Sequence, residues 1–136
     1  MGRVMALDPG TVRIGIAVSD PLGLIAQPHS SLPAEGPELL SAIGSLATEL
    51  DVDRIVVGLP VSLDGTEGPS AVLAREFAER VAAKTGLEVE LVDERFSTVT
   101  AERAMIEAGA RRAERKAARD RVAAAVFLQA YLDGPR

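Results

Sequence analysis

The sequence predicts an α/β fold: a mixed sheet, in which an antiparallel hairpin is joined to parallel strands, with helices on both faces. Three observations predict it. Two short apolar runs, Val4-Met5-Ala6-Leu7 and Ile14 to Val18, flank the turn dipeptide Pro9-Gly10 as the arms of a hairpin would. Two strand-helix-strand units follow, and such crossovers join parallel strands. Between the strands, apolar residues recur at three- and four-residue spacing, which marks helices with one buried stripe.

In chain order, the unbroken run before Asp8 reads as a strand buried on both faces. Its partner alternates, with Ile14, Ile16 and Val18 on one face and Gly15 and Ala17 keeping the other face low. Ile25 to Leu32 supplies a third strand, which Pro28 confines to an edge. Leu39, Leu40, Ile43, Leu46, Ala47 and Leu50 give a first amphipathic helix, ended by Asp51 to Asp53, and Ile55 to Gly58 a short buried strand. Pro69 opens a second helix with Val72, Leu73, Ala74, Phe77, Val81 and Ala82 expected inward, and Gly86 closes it. Glu88 to Asp93 alternates as a strand nearer the edge than its predecessor. Ser97 or Thr98 can cap a helix running to Ala108, and a last helix is expected from about Lys116 to Leu132.

The 136 residues fit a single domain, 1–136. With no cysteine and one histidine, thiolate zinc sites, thiol nucleophiles and histidine-rich metal sites are excluded, so any metal must sit on oxygen. Nothing resembles a signal peptide or a membrane span, and the expected location is the cytoplasm, without a membrane partner. Net charge is −5, yet the segment 111–121 carries Arg111, Arg112, Arg115, Lys116, Arg119 and Arg121 against Glu114 and Asp120. That segment is +4 and the remainder therefore −9, a pattern suited to meeting phosphates at one place.

Three carboxylates attract attention. Asp8 ends a buried strand, Glu94 follows the C-terminal end of another, and Asp120 heads the face of the last helix that carries Ala123, Ala124, Phe127, Leu128 and Tyr131. Taken singly, each has an ordinary explanation: a turn aspartate bonds nearby amides, and an acid near a helix N-terminus is favoured by the macrodipole. Sites in open α/β sheets form outside the carboxyl ends of strands, where these acids could converge. Converging carboxylates repel, and the natural compensator is Mg²⁺ or Mn²⁺. Such centres suit phosphodiester hydrolysis, with paired metals about 3.5 to 4 Å apart.

The stretches Leu7-Asp8-Pro9-Gly10-Thr11-Val12-Arg13-Ile14-Gly15-Ile16-Ala17-Val18-Ser19-Asp20, Val57-Gly58-Leu59-Pro60 with Asp64-Gly65-Thr66, Asp93-Glu94-Arg95-Phe96-Ser97-Thr98, and Asp120 with Ala123-Ala124 before Leu128-Gln129-Ala130-Tyr131-Leu132 resemble the YqgF/RuvX family. The resemblance spans the chain. It implies a ribonuclease H-like fold and a nuclease of pre-16S rRNA processing, related to Holliday-junction resolvases. It further implies that Asp8, Glu94 and Asp120 bind the metal, and that Thr11, Arg13, Arg95, Ser97 and Thr98 contact phosphate or shape the site. The family often has lysine just before the helix aspartate; here Ala118 and Arg119 stand there, with Lys116 further back. From charge, Arg111, Arg112, Arg115, Lys116 and Arg119 are the added phosphate contacts.

Two other classes are weighed. Asp8-Pro9-Gly10-Thr11 also resembles the phosphate loop of actin-like ATPases and sugar kinases, but those close two lobes and this length provides one. A non-catalytic nucleic-acid-binding module would have no need of all three acids. Aromatics make up 3% of the chain, so recognition of structured or precursor RNA, or of branched DNA, rests on phosphate and shape. The second helix's outer positions include Arg75, Glu76, Glu79 and Arg80, and the last helix's include Arg119, Arg121, Gln129 and Asp133. No spare apolar stripe is expected, hence a monomer or at most a weak homodimer.

Overall fold

A computed structural model of the chain describes residues 2–10, 12–60, 67–93 and 112–134; in the last stretch, side chains are described from Val122 onward. The elements are β1 (Arg3–Pro9), β2 (Arg13–Ser19), β3 (Ala26–Pro33), α1 (Leu39–Glu49), β4 (Val52–Leu59), α2 (Pro69–Thr85), β5 (Glu88–Asp93) and α3 (Arg112–Asp133). They form one five-stranded sheet in the order β3-β2-β1-β4-β5. β1, β2 and β3 are successively antiparallel, whereas β4 lies parallel to β1 and β5 parallel to β4. The hairpin-plus-parallel expectation therefore holds. The helix expected to run to Ala108 lies outside the described residues.

The pleat sorts side chains onto two faces. Met5, Leu7, Ile16, Ile55 and Val57 point to the side covered by α1, through Ile43 and Ala47, and by α2, through Phe77, Ala78 and Val81. Val4, Ala6, Ala17 and Val56 point to the other side, where Ala124, Ala125, Phe127, Leu128 and Leu132 of α3 cover them. β1 is central, so its apolar run is buried on both faces, as the unbroken pattern requires. Burying each large aliphatic contributes about 1.5–3 kcal/mol, which anchors the strand whose last residues carry Asp8.

Local chemistry sets the element ends. Gly10 accepts no substitute without movement: a Cβ there would lie 2.5 Å from the carbonyl oxygen of Arg13, to which the Gly10 amide donates at 3.0 Å. Gly86, with φ of 71°, ends α2 in the left-handed conformation that glycine adopts without strain. Pro69 occupies the first turn of α2, where its missing N–H leaves no bond unmade. Pro28 stands on the outer strand β3, as expected.

Four expectations need correction. β4 begins at Val52, earlier than Ile55, because Val52 and Arg54 still pair with Arg3 and Val4 of β1. α3 begins at Arg112 rather than near Lys116: arginine, lysine, alanine and glutamate sustain a helix without an apolar stripe, so the basic residues sit on the helix itself. In α2, Val72 and Leu73 are 53% and 63% exposed, and Ala71 joins the expected Ala74 in the core in their place. Gln129 of α3 is half-buried rather than left in water. Its Oε1 accepts the Ala26 amide at 2.8 Å and its Nε2 donates to the Leu24 carbonyl at 3.0 Å, fastening the edge strand to the helix. No described helix is long and apolar enough to cross a membrane.

Candidate functional site

β1, β4 and β5 run parallel, so their carboxyl ends emerge at one margin of the sheet. Asp8 is there. It continues the series Val4, Ala6 and thus points to the α3 side, half-buried at the end of a strand whose preceding four residues are buried. Its partner across β2 is Gly15, and the register Leu7 to Val57 brings Gly58 of β4 level with it on the other flank. A glycine thus stands on each side of it in the sheet.

Asp93 reaches the same margin, paired with Leu59, but alternates with Leu91 toward the α1 and α2 side. Arg13 lies on Asp8's face, two positions before Gly15. Its Nε donates to Ser31 Oγ at 2.9 Å and its NH2 to the Ser31 carbonyl at 3.3 Å, so it is tied to β3 rather than to Asp8. Asp120 belongs to α3 one turn before Ala124, which is fully buried against the sheet. Arg112, Arg115, Lys116 and Arg119 occupy the first turns of the same helix. Thr11, Glu94, Arg95, Ser97, Thr98 and Arg111 lie outside the described residues. Among those described, no three Asp, Glu or His side chains gather as a metal cluster.

Acids away from this margin have evident structural tasks. Asp20, beyond β2 at the opposite end of the sheet, accepts the amides of Leu24 and Ile25 at 2.7 and 2.8 Å; the Ile25 amide above all holds its carboxyl below the usual range. Glu67 accepts both arms of Arg75 at 2.8 and 2.7 Å, and those hydrogen bonds lower its carboxyl likewise. Glu88 and Glu90 lie beside Arg54, whose NH1 donates to the Tyr131 hydroxyl at 2.8 Å.

Sequence reasoning missed Ser31. A lone serine in an edge strand carries no periodic or motif signal; only the pairing of Gly15 with Ser31 puts it in one cross-strand row with Asp8. Gly58 was visible as a residue of a buried strand, but not as a neighbour of Asp8.

A family profile described as "RuvX: Holliday junction resolvase" matches residues 2–134. A Myxococcus xanthus protein named as a candidate pre-16S rRNA nuclease is 47% identical, over 98% of this chain and 89% of its own. A Syntrophomonas wolfei protein of the same description is 46% identical, over 97% of this chain and 94% of its own. Among solved structures, RuvC of T. thermophilus in complex with Holliday junction substrate superposes with a TM-score of 0.57 at 15% identity, covering 96% of each chain. At that identity the likeness speaks for the fold, and the hairpin, the central β1 and the flanking parallel strands form the ribonuclease H-like sheet expected. The profile match from end to end, joined to near-half identity over almost the whole of its relatives, places this chain in the RuvX family.

Proposed function

We propose that the protein is a divalent-metal-dependent nuclease that hydrolyses phosphodiester bonds in the precursor of 16S rRNA, acting in the cytoplasm as one domain. The observation that carries this reading is the position of Asp8: a half-buried carboxylate at the carboxyl margin of the central strand, with glycine on both flanks. The named activity of the relatives supplies the substrate class.

Asp8, Glu94 and Asp120 are the proposed ligands. α3 runs antiparallel to β1, since Tyr131 near its C-terminal end meets Arg54, the register partner of Val4. From Tyr131 back to Asp120 is about 16 Å of helix, and from Val4 forward to Asp8 about 13 Å of strand, so the two acids belong to the same end of the sheet. In β5 the α3 side is taken by Val92, and Glu94 follows in the sequence directly after the strand's last described residue. The donor set is carboxylate oxygen throughout, which fits Mg²⁺ or Mn²⁺ and no soft metal. The metal, when bound, supplies Lewis-acid stabilisation of the phosphate charge and an activated water. The chain itself holds Asp8 on β1 and Asp120 on α3, sets Gly15 and Gly58 beside Asp8 in the sheet, and presents cations to the nucleic-acid backbone. Arg112, Arg115, Lys116 and Arg119 stand in the first turns of α3, where the macrodipole disfavours cations. A phosphate there is favoured by both the charges and the helix end.

The test is cleavage of precursor rRNA and a panel of other RNAs and a four-way DNA junction by highly purified protein with Mg²⁺ or Mn²⁺. Activity is expected on the rRNA precursor and lost in EDTA and in Asp8→Asn. Equal cleavage in excess EDTA would sink the metal mechanism, RNA affinity without turnover would indicate a binding module, and metal-dependent ATP binding a nucleotide enzyme. The family description keeps junction resolution as the second reading. Resolution of a symmetric junction requires two sites, so a monomer by light scattering that cleaves RNA favours the first.

A further inference from the structure

We infer that Gln129 and Tyr131 are positioning residues for the metal centre: with Arg54 they clamp the last turns of α3 to the sheet and so fix where the helix carries Asp120 relative to Asp8. The inference rests on the nuclease reading above, which makes those two acids ligands of one centre. Asp8 belongs to β1, whose apolar run is buried on both faces, whereas the place of Asp120 depends wholly on how α3 lies across the sheet. The described contact surface nearest Asp120 is built of small side chains: Ala123, Ala124 and Ala125 on the helix, with Ala6 and Ala17 on the strands. Apolar burial is non-directional, so it draws the helix to the sheet without fixing its angle.

Directional contacts come at the other end of the helix. Gln129 accepts the Ala26 amide at 2.8 Å and donates to the Leu24 carbonyl at 3.0 Å, standing in for a strand partner at the start of β3. Its second amide hydrogen goes to Asp133 at 3.0 Å, so the side chain is held from both sides. Two residues on, the Tyr131 hydroxyl accepts from Arg54 NH1 at 2.8 Å, and Arg54 NH2 donates to Glu88 at 3.1 Å. Positions 129 and 131 are about 200° apart around a helix. Their partners are likewise on opposite flanks, since β2 and β1 separate β3 from β4, about 14 Å over three strand spacings. One such contact would leave a pivot; two on opposite flanks resist both rolling and swinging.

The lever is long. From the clamp back to Asp120 is about 13 to 16 Å of helix, and a swing of about 5° at the clamp moves position 120 by roughly 1.3 Å. Metal-ligand distances are held within about 0.2 Å. A hydrogen bond lost at Gln129 or Tyr131 is therefore felt at the metal, although neither residue approaches it.

The experiment measures Mn²⁺ binding to the whole chain by calorimetry, without nucleic acid, so that no cleavage enters. Tyr131→Phe removes one hydroxyl and keeps the ring; Gln129→Met keeps the length and removes the amide. Each is expected to weaken Mn²⁺ binding about three- to tenfold, the effect of one lost hydrogen bond. Arg54→Met should do the same, and Tyr131→Phe should add nothing in that background, because both act through one bond. Ile43→Ala is the control: it loses stability on the α1 and α2 side and should bind Mn²⁺ as the unsubstituted chain does. Urea titration gives the stability of each variant, which is all that a merely structural role would move. Unchanged Mn²⁺ affinity in Tyr131→Phe or in Gln129→Met, or an equal loss in Ile43→Ala, overturns the clamp. Asp8→Asn separates the two readings. If it loses Mn²⁺ while the clamp variants keep it, the metal centre stands and the clamp falls; if it binds Mn²⁺ like the unsubstituted chain, the metal centre falls and the clamp with it.

Discussion

On one face of the sheet Met5, Leu7, Ile16, Ile55 and Val57 meet Ile43 of α1 and Phe77 and Val81 of α2; on the other, Ala6, Ala17 and Val56 meet Ala124, Ala125, Phe127 and Leu128 of α3. The first face is filled with large side chains from end to end. The second is built largely of small ones, which let the helix backbone approach the strands, and along β1 it passes from Val4 and Ala6 directly to Asp8. Stability is thus concentrated where no site residue lies, while the site grows from the carboxyl end of the thinner face. Separating the two lets a carboxylate with costly surroundings sit on a strand that the other face already holds in place.

The comparison is broken most severely by Asp8→Asn. Cleavage should fall by at least about a hundredfold, the equivalent of the several kcal/mol that a bound metal contributes to the transition state, while unfolding in urea moves by less than about 1 kcal/mol. A large stability loss with activity intact would place Asp8 in the scaffold instead.

Ile43→Ala, on the thick face, should behave in the opposite way. Ile43 is fully buried, and its truncation is expected to destabilise by about 2–5 kcal/mol, read by urea titration, with specific activity per folded molecule unchanged. Ala124→Leu tests whether the thin face couples the two properties. Enlarging this fully buried alanine should cost about 1–3 kcal/mol and also depress cleavage, because it pushes α3, and Asp120 with it, away from β1. Stability lost without any change in cleavage would show that the helix position does not govern the site.

The smallest effect concerns Asp20, at the far end of the sheet. Its folded carboxyl is held below the ordinary value by amide hydrogen bonds, so it contributes stability above about pH 4 that is lost as pH falls through the lowered folded value. Asp20→Asn should therefore flatten the acid limb of a stability-against-pH curve slightly and leave cleavage untouched. An acid limb identical to that of the unsubstituted protein would remove the Asp20 loop from the account of stability.

The inward stripe expected of α2 shows how local pattern misleads. Val72 and Leu73 sit at positions that a broad helical stripe would bury. In the fold they are exposed, as are Leu22, Leu24 and Ile25 beside β3. The rotation of α2 that buries Ala71 beside Ala74 and leaves Val72 and Leu73 outside is set by contact with Leu59 and Leu91, residues of β4 and β5, and no spacing within the helix encodes it.

What the sequence determined by itself was whatever depends on neighbours in the chain. The buried run before Asp8, the alternation of β2, Pro28 on an edge strand, Pro69 and Gly86 at the ends of α2, and β5 from Glu88 to Asp93 all follow from periodicity and turn chemistry within a few residues. The tertiary structure alone decided which strand lies beside which, and therefore that Asp8 has Gly15 and Gly58 for neighbours and that Ser31 holds Arg13. Register is a property of pairs of strands, fixed by burial on two faces at once, and a serine in one strand carries no mark of the arginine it will meet in another.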